Sequence, residues 1–296
     1  MESNEFALVI FTILTQMCVG MFCMSTVLPF FVSHDDQGEV QRINDSIPFY
    51  IAPVMIGGMI VSLLHLGTPA NCFHAIRNIG SSPLSREIAL TGLFTGLICL
   101  LVFMRLKKIA SKALYLVVSL LAVLAGLLLI YSMAQVYMLR TVPVWNSTFT
   151  LIQFFTTGFL LGTLALGSVY VFYFKKLKKD DLHQMVRLTV TITIIMLGIE
   201  LAAIPLGLAG LAAGSETGLS SLKIMGENNG GILLIRLILV FVGACLAGFF
   251  SYRDTFTEKW GPGAGGFYLA FALVFMAEII GRALFYASYA RVGLLN

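Results

Sequence analysis

Six ionisable residues stand inside otherwise apolar stretches of this 296-residue chain: His65, Glu87, Glu200, Arg236, Glu278 and Arg282. Placed in hydrocarbon, a charged group costs at least about 2.5 kcal/mol at the centre of a helix, so each implies a partner, an exchangeable proton or a ligand. Glu278 and Arg282 are four residues apart and can neutralise one another across one helical turn. Glu200 and Arg236 belong to different stretches and can pair across helices if they share a depth. His65 and Glu87 flank a Gly/Pro-rich connection and carry the two side-chain types best suited to accepting protons near neutral pH.

The elements that must position these groups follow from composition. Apolar residues make up 58% of the chain and charged ones 11%, and the mean hydropathy is +0.91; an ordinary soluble domain is about 25% charged. These values exclude a soluble cofactor enzyme and predict an all-α integral membrane protein. Apolar runs recur at 6–32, 48–67, 83–104, 112–134, 148–174, 185–210, 231–251 and 266–290, each long enough to span a bilayer, which needs about 20 residues. We therefore expect a polytopic bundle of eight transmembrane helices forming one integral membrane domain over residues 1–296. The first run follows Met-Glu-Ser-Asn-Glu with no basic residue and exceeds a signal-peptide core, so it is expected to be a retained span. Ser82 followed by Pro83 reads as the cap and first residue of the third helix.

Basic residues in alternate connections set the expected orientation, because Lys and Arg are retained on the cytoplasmic side. One side collects twelve: Arg42, then Arg105, Lys107, Lys108 and Lys112, then Lys175, Lys176, Lys178, Lys179 and Arg187, then Arg253 and Lys259. The other collects Arg77, Arg86, Arg140, Lys223 and Arg291. Both termini are therefore expected on the outer side of a cytoplasmic membrane. The net charge of +4 speaks to this asymmetry and not to nucleic acid.

His65 ends the second run, and Glu87 lies five residues past the Ser82 cap, about 7 Å into the third helix. Both then sit near one membrane face, the outer one by the charge count. Between them, Pro69–Gly80 has Phe73, Ile76 and Ile79 on one side and His74, Arg77 and Asn78 on the other, the pattern of a short interfacial helix. A neutral imidazole and a carboxylate at headgroup depth suit a quinol, whose two hydroxyls need proton acceptors as the ring is oxidised. The same residues also suit a plainer role, His65 capping its helix and Glu87 complementing the next helix's dipole.

The protein does not read as holding its own redox centre. Cys18, Cys23, Cys72, Cys99 and Cys245 show no C-x-x-C spacing, which argues against an iron-sulfur cluster, a c-type haem or a zinc site. Of the four histidines, His34 and His183 belong to the side opposite His65 and His74, so a bis-histidine haem is not expected.

Taken together, several strings resemble the membrane anchor subunit of bacterial dimethyl sulfoxide reductases, the DmsC type. They are His65-Leu66-Gly67-Thr68-Pro69, Phe73, Gly80 and Leu84-Ser85-Arg86-Glu87-Ile88-Ala89; Val136-Tyr137 and Thr141-Val142-Pro143-Val144-Trp145; Glu200-Leu201-Ala202; and Ala277 through Tyr286. The similarity runs through essentially the whole sequence in the same order. It implies an eight-helix, haem-free anchor that binds menaquinol and docks an iron-sulfur subunit and a molybdopterin catalytic subunit in anaerobic respiration. The family's quinol-site His and Glu fall on His65 and Glu87. The sequence departs at Asn71, where the family string carries Arg, and at Arg86, where it carries Asn; Arg77 or Arg86 is then the candidate to supply the missing basic group. Dimethyl sulfoxide as acceptor is not dictated, since related anchors serve other molybdenum oxidoreductases. Two other readings stay open on the residues alone: a small secondary transporter using Glu200, Arg236, Glu278 and Arg282, and a structural anchor whose partner holds the quinol.

Overall fold

The computed structural model describes residues 3–31, 37–65, 78–109, 111–177, 181–212, 216–223, 226, 229–257 and 263–289. Among the described residues all regular structure is helical. The helices are α1 (Ser3–Val27), extended by a 3₁₀ turn at Leu28–Phe31, α2 (Gln37–Asn44), α3 (Ile47–His65), α4 (Pro83–Lys107), α5 (Lys112–Tyr137), α6 (Thr148–Leu177), α7 (Asp181–Ala212), α8 (Glu216–Lys223), α9 (Gly230–Thr257) and α10 (Gly263–Ala287). Eight are long and apolar enough to cross a membrane, and the protein is an all-α, multi-pass membrane protein. The short helices α2 and α8 lie in stretches read from the sequence as plain connections.

Local chemistry sets the ends of the helices. The Ser82 hydroxyl accepts from the Ser85 N–H at 3.4 Å and Pro83 is the first helical residue of α4, relieving an otherwise orphaned donor. Lys108, at φ 54°, closes the same helix and donates its N–H to carbonyls of the last turn. Ser111 caps α5, accepting from Leu114 N at 3.2 Å. Several helices outrun their apolar stretches; α4 continues to Lys107 and α5 to Tyr137. Apolar length measures only the hydrocarbon crossing, whereas backbone hydrogen bonding continues through the interface, where Arg and Lys heads reach water. α3 ends at His65, and the interfacial helix expected over Pro69–Gly80 falls largely on residues 66–77, outside the described residues.

The spans form two four-helix halves. In the first, α1, α3, α4 and α5 pack in a closed ring; in the second, α6, α7, α9 and α10 do the same. The halves join chiefly where α1 lies along α6, with α5 on α6 and α1 on α10 as flanking contacts. Accordingly 72% of each of the α1 and α6 spans is buried, against 22–44% of the other six. The seam is made by small residues: a side chain added at Gly20 would strike the backbone of Gly158, and one at Gly162 the backbone of Gly20 and Met21. Gly158-x-x-x-Gly162 thus lets two helix backbones meet, the packing device of membrane helices in which lipid provides no hydrophobic drive for association.

One face of the bundle is tied by polar contacts between helix ends. Arg105 bridges Asp45 at 2.9 Å, the Tyr170 hydroxyl donates to Asn44 Oδ1 at 2.6 Å, and Tyr50 and Tyr173 hydroxyls meet at 3.2 Å. This is the face carrying the basic connections. The opposite face carries the start of α4, the end of α10 and the connection between the halves.

Candidate functional site

α4 turns one stripe inward, consisting of Glu87, Thr91, Phe94, Ile98 and Leu101, the i, i+4, i+7 spacing of a core-facing helix side. Phe94 meets Phe22 of α1 edge-on at 6.1 Å. Glu87 therefore points into the first half and not at lipid, and it is 8% exposed. The Thr91 hydroxyl donates to the Glu87 carbonyl at 2.7 Å. Among the described residues no cation lies within salt-bridge distance of the Glu87 carboxylate. It lies within electrostatic range of Tyr137 and Tyr286, whose hydroxyls are hydrogen-bonded at 2.7 Å.

Those tyrosines belong to an aromatic wall where α5, α6 and α10 meet. Trp145 stacks on Phe285 with centroids 5.3 Å apart and donates its indole N–H to the Phe285 carbonyl at 2.9 Å. Tyr137 packs on Trp145, Phe154, Phe285 and Tyr286 at 5.5–5.8 Å. Aromatic side chains with polar tips suit headgroup depth, where the ring is buried and the tip finds a partner. Sequence reasoning assigned no role to Tyr137 or Tyr286, although both stand in strings that carry the family resemblance.

The remaining expected site residues divide. His65 is the last residue of α3, which packs against α4; its side chain, and all of Arg77, lie outside the described residues. Arg86 turns back from Glu87, donating to the carbonyls of Ile79 at 2.9 Å and Gly80 at 2.8 Å, and so braces the turn before α4. Glu200 and Arg236 meet in a buried ion pair between α7 and α9, and Arg236 also approaches Glu278 at 3.5 Å. Glu278 accepts from the Thr157 hydroxyl at 2.6 Å.

The helical pair expected between Glu278 and Arg282 is replaced by contacts across helices. Arg282 donates to Gln16 Oε1 of α1 at 2.9 Å and sits over the Phe154 ring at 3.8 Å. The reason is steric: α10 carries glycine at 281, and the Arg236 guanidinium lies where a side chain there would stand. Arg236 thereby reaches Glu278 from the neighbouring helix, while Arg282 faces the seam. Gln16, a polar residue in the middle of the first apolar run, was the available signal for a partner on α1.

Among the described residues no three His, Cys, Asp or Glu side chains converge on a possible metal position. Cys18, Cys23, Cys99 and Cys245 are free thiols. The arrangement gathers a buried carboxylate and a hydrogen-bonded pair of tyrosine hydroxyls within electrostatic range of one another.

The family described as DMSO reductase anchor subunit (DmsC) matches residues 1–288. The protein is 27% identical to the C subunit of anaerobic dimethyl sulfoxide reductase from Escherichia coli K12, over 98% of its own length and 97% of that protein. It is 28% identical to the anaerobic dimethyl sulfoxide reductase subunit YnfH of the same organism over the same shares, and 26% identical to the C subunit from Haemophilus influenzae over 98% of its own length and 96% of that protein. In fold it is similar to bd oxidase from Geobacillus thermodenitrificans, with a TM-score of 0.69 at 12% identity, covering 96% of this protein and 84% of that one. The latter likeness speaks to the helix arrangement alone. With a match running almost from end to end, the protein belongs to the DmsC family of DMSO reductase membrane anchors.

Proposed function

We propose that this anchor oxidises menaquinol and passes the electrons to a docked iron-sulfur subunit, which delivers them to a molybdopterin catalytic subunit. The observation that carries the reading is Glu87: a carboxylate turned into the bundle near one membrane face, within electrostatic range of two tyrosine hydroxyls and with no described cation at salt-bridge distance. The family relationship supports the same assignment, as does His65 at the adjoining end of α3.

The quinol ring enters between α3 and α4. His65 accepts one hydroxyl proton and Glu87 accepts or relays the other, while two electrons leave one at a time to the partner's nearest cluster. Tyr137 and Tyr286 orient the ring side of the site, and Arg86 steadies the turn that presents Glu87. With the basic connections cytoplasmic, both termini, the site and the docked subunits lie on the outer side of the inner membrane. Protons are then released where the acceptor consumes them, with little charge separation across the membrane. Haem, clusters and metals have no place in this subunit's share of the reaction.

The test uses the intact complex. His65→Ala and Glu87→Gln should abolish reduction driven by menaquinol while leaving subunit assembly and reduction driven by an artificial dye intact. Undiminished quinol-driven turnover in both variants would remove these residues from the mechanism. A terminal tag found in the cytoplasm would overturn the orientation.

A further inference from the structure

The second half contains a cavity of about 480 Å³ opening at the same face as the start of α4. Phe149, Ile152, Ala203, Leu233 and Leu284 line its walls, and Arg236 stands at its inner end. Beside it, a much smaller pocket of about 10 Å³ shares Arg236 and is lined by Gln153, Thr156 and Glu200. The volume falls within the range of about 300–1,000 Å³ common for small-molecule sites. Phe285, part of the aromatic wall, lines the cavity on one side while contacting Tyr137 at 5.6 Å. The cavity and Glu87 are therefore neighbours across that wall, each in its own half.

The inner end is polar and incompletely satisfied. Arg236 is 4% exposed and Glu200 3%, yet Arg236 Nε and Glu200 Oε2 lack hydrogen-bond partners among the described residues. A buried polar atom left unpaired costs about 1–3 kcal/mol, so a ligand atom that completes the set gains binding energy. The formal charges constrain that ligand. Arg236 is already shared between two carboxylates, which leaves the triad without a positive excess to hold an anionic phosphate. A neutral head offering both a donor and an acceptor is complementary, and the apolar walls call for a lipophilic body.

The geometry points to a second amphiphile site in the C-terminal half, taking the ring of a neutral isoprenoid quinone or quinol with its head toward Arg236 and Glu200. This site is separate from Glu87 and does not rest on the reading of Glu87 as a proton acceptor. A phospholipid would present its anionic phosphate to carboxylates that Arg236 alone offsets.

The test is photolabelling of the purified, assembled complex with an azido-naphthoquinone bearing one isoprenyl unit, with crosslinks mapped by mass spectrometry. Label is expected in the peptide 203–208, which holds no residue of the aromatic wall beside Glu87, both in the native protein and in Glu87→Gln. It should fall at least tenfold in Ile204→Trp, which fills the cavity, and in Ala203→Phe, which fills it from the next position of α7. Dye-driven reduction and co-purification of the partner subunits show whether each variant is folded, and one assembled variant suffices. Labelling confined to peptides around Glu87 and Tyr137 would overturn the second site. So would unchanged labelling at 203–208 in the assembled, filled variants. Retention of a phospholipid by the native protein but not by Ile204→Trp, without quinone labelling of the cavity, would replace the quinone by a lipid and overturn the assignment.

Discussion

Glu87 in the first half and Glu278 in the second are 8% and 2% exposed, and their neighbours differ. Glu278 is held by Arg236 and Thr157, and Arg236 is held in turn by Glu200. Glu87 has two tyrosines in range and no described cation within bonding distance. A carboxylate fixed by a guanidinium ties helices together, whereas one among hydroxyls and rings is chemically available to a ligand. Burial alone, which both share, does not separate a structural carboxylate from a reactive one. The neighbouring cation does.

The sharpest way to break this contrast is to take the cation from the second half. Arg236→Leu leaves two buried carboxylates unpaired and should destabilise the protein by about 3–5 kcal/mol, read as a lower thermal midpoint in mild detergent. Adding Glu200→Leu and Glu278→Leu to that variant should restore most of the loss, since replacing a whole buried ion cluster by apolar residues is often neutral. Gly20→Leu attacks the seam between the halves and should cost roughly 3 kcal/mol, the upper end for overpacking, seen as loss of monodisperse protein on size exclusion. Glu87→Gln should lower quinol-driven turnover by about 100-fold or more, the lower end for loss of an acid-base group, with little change in thermal midpoint. Ser82→Ala removes the α4 cap at about 1 kcal/mol and should move the midpoint slightly while leaving dye-driven reduction unchanged. A Glu87→Gln protein as unstable as Arg236→Leu would erase the distinction between the two carboxylates.

The apolar runs were enough to read eight spans, because a bilayer imposes length and hydropathy one helix at a time. Ser82-Pro83 was equally legible, being a local cap whose atoms lie within four residues. The partition into two four-helix halves was not, since every run is apolar on most sides and periodicity does not say which face meets which helix. Gly158-x-x-x-Gly162, which brings one such face to α1, was not among the residues read from the sequence. The spacing of Glu278 and Arg282 made them neighbours but could not rank their partners; Gly281, which admits Arg236, and Gln16, 266 positions from Arg282 along the sequence, decided that ranking. At the candidate site, Glu87 was legible from its distance to the cap, while the approach of Tyr137 and Tyr286 depends on helices far apart in sequence.

The Gln16–Arg282 contact also has a consequence in time. Translation adds about 5–20 residues per second, so the 266 positions between them correspond to roughly 13–53 s during which α1 is made and its buried polar face has no final partner. Gln16, with Thr12 and Thr15 beside it on the same helix, must meanwhile be shielded from lipid by the earlier helices or by the insertion machinery. A helix made late is thus the one that relieves a helix made early.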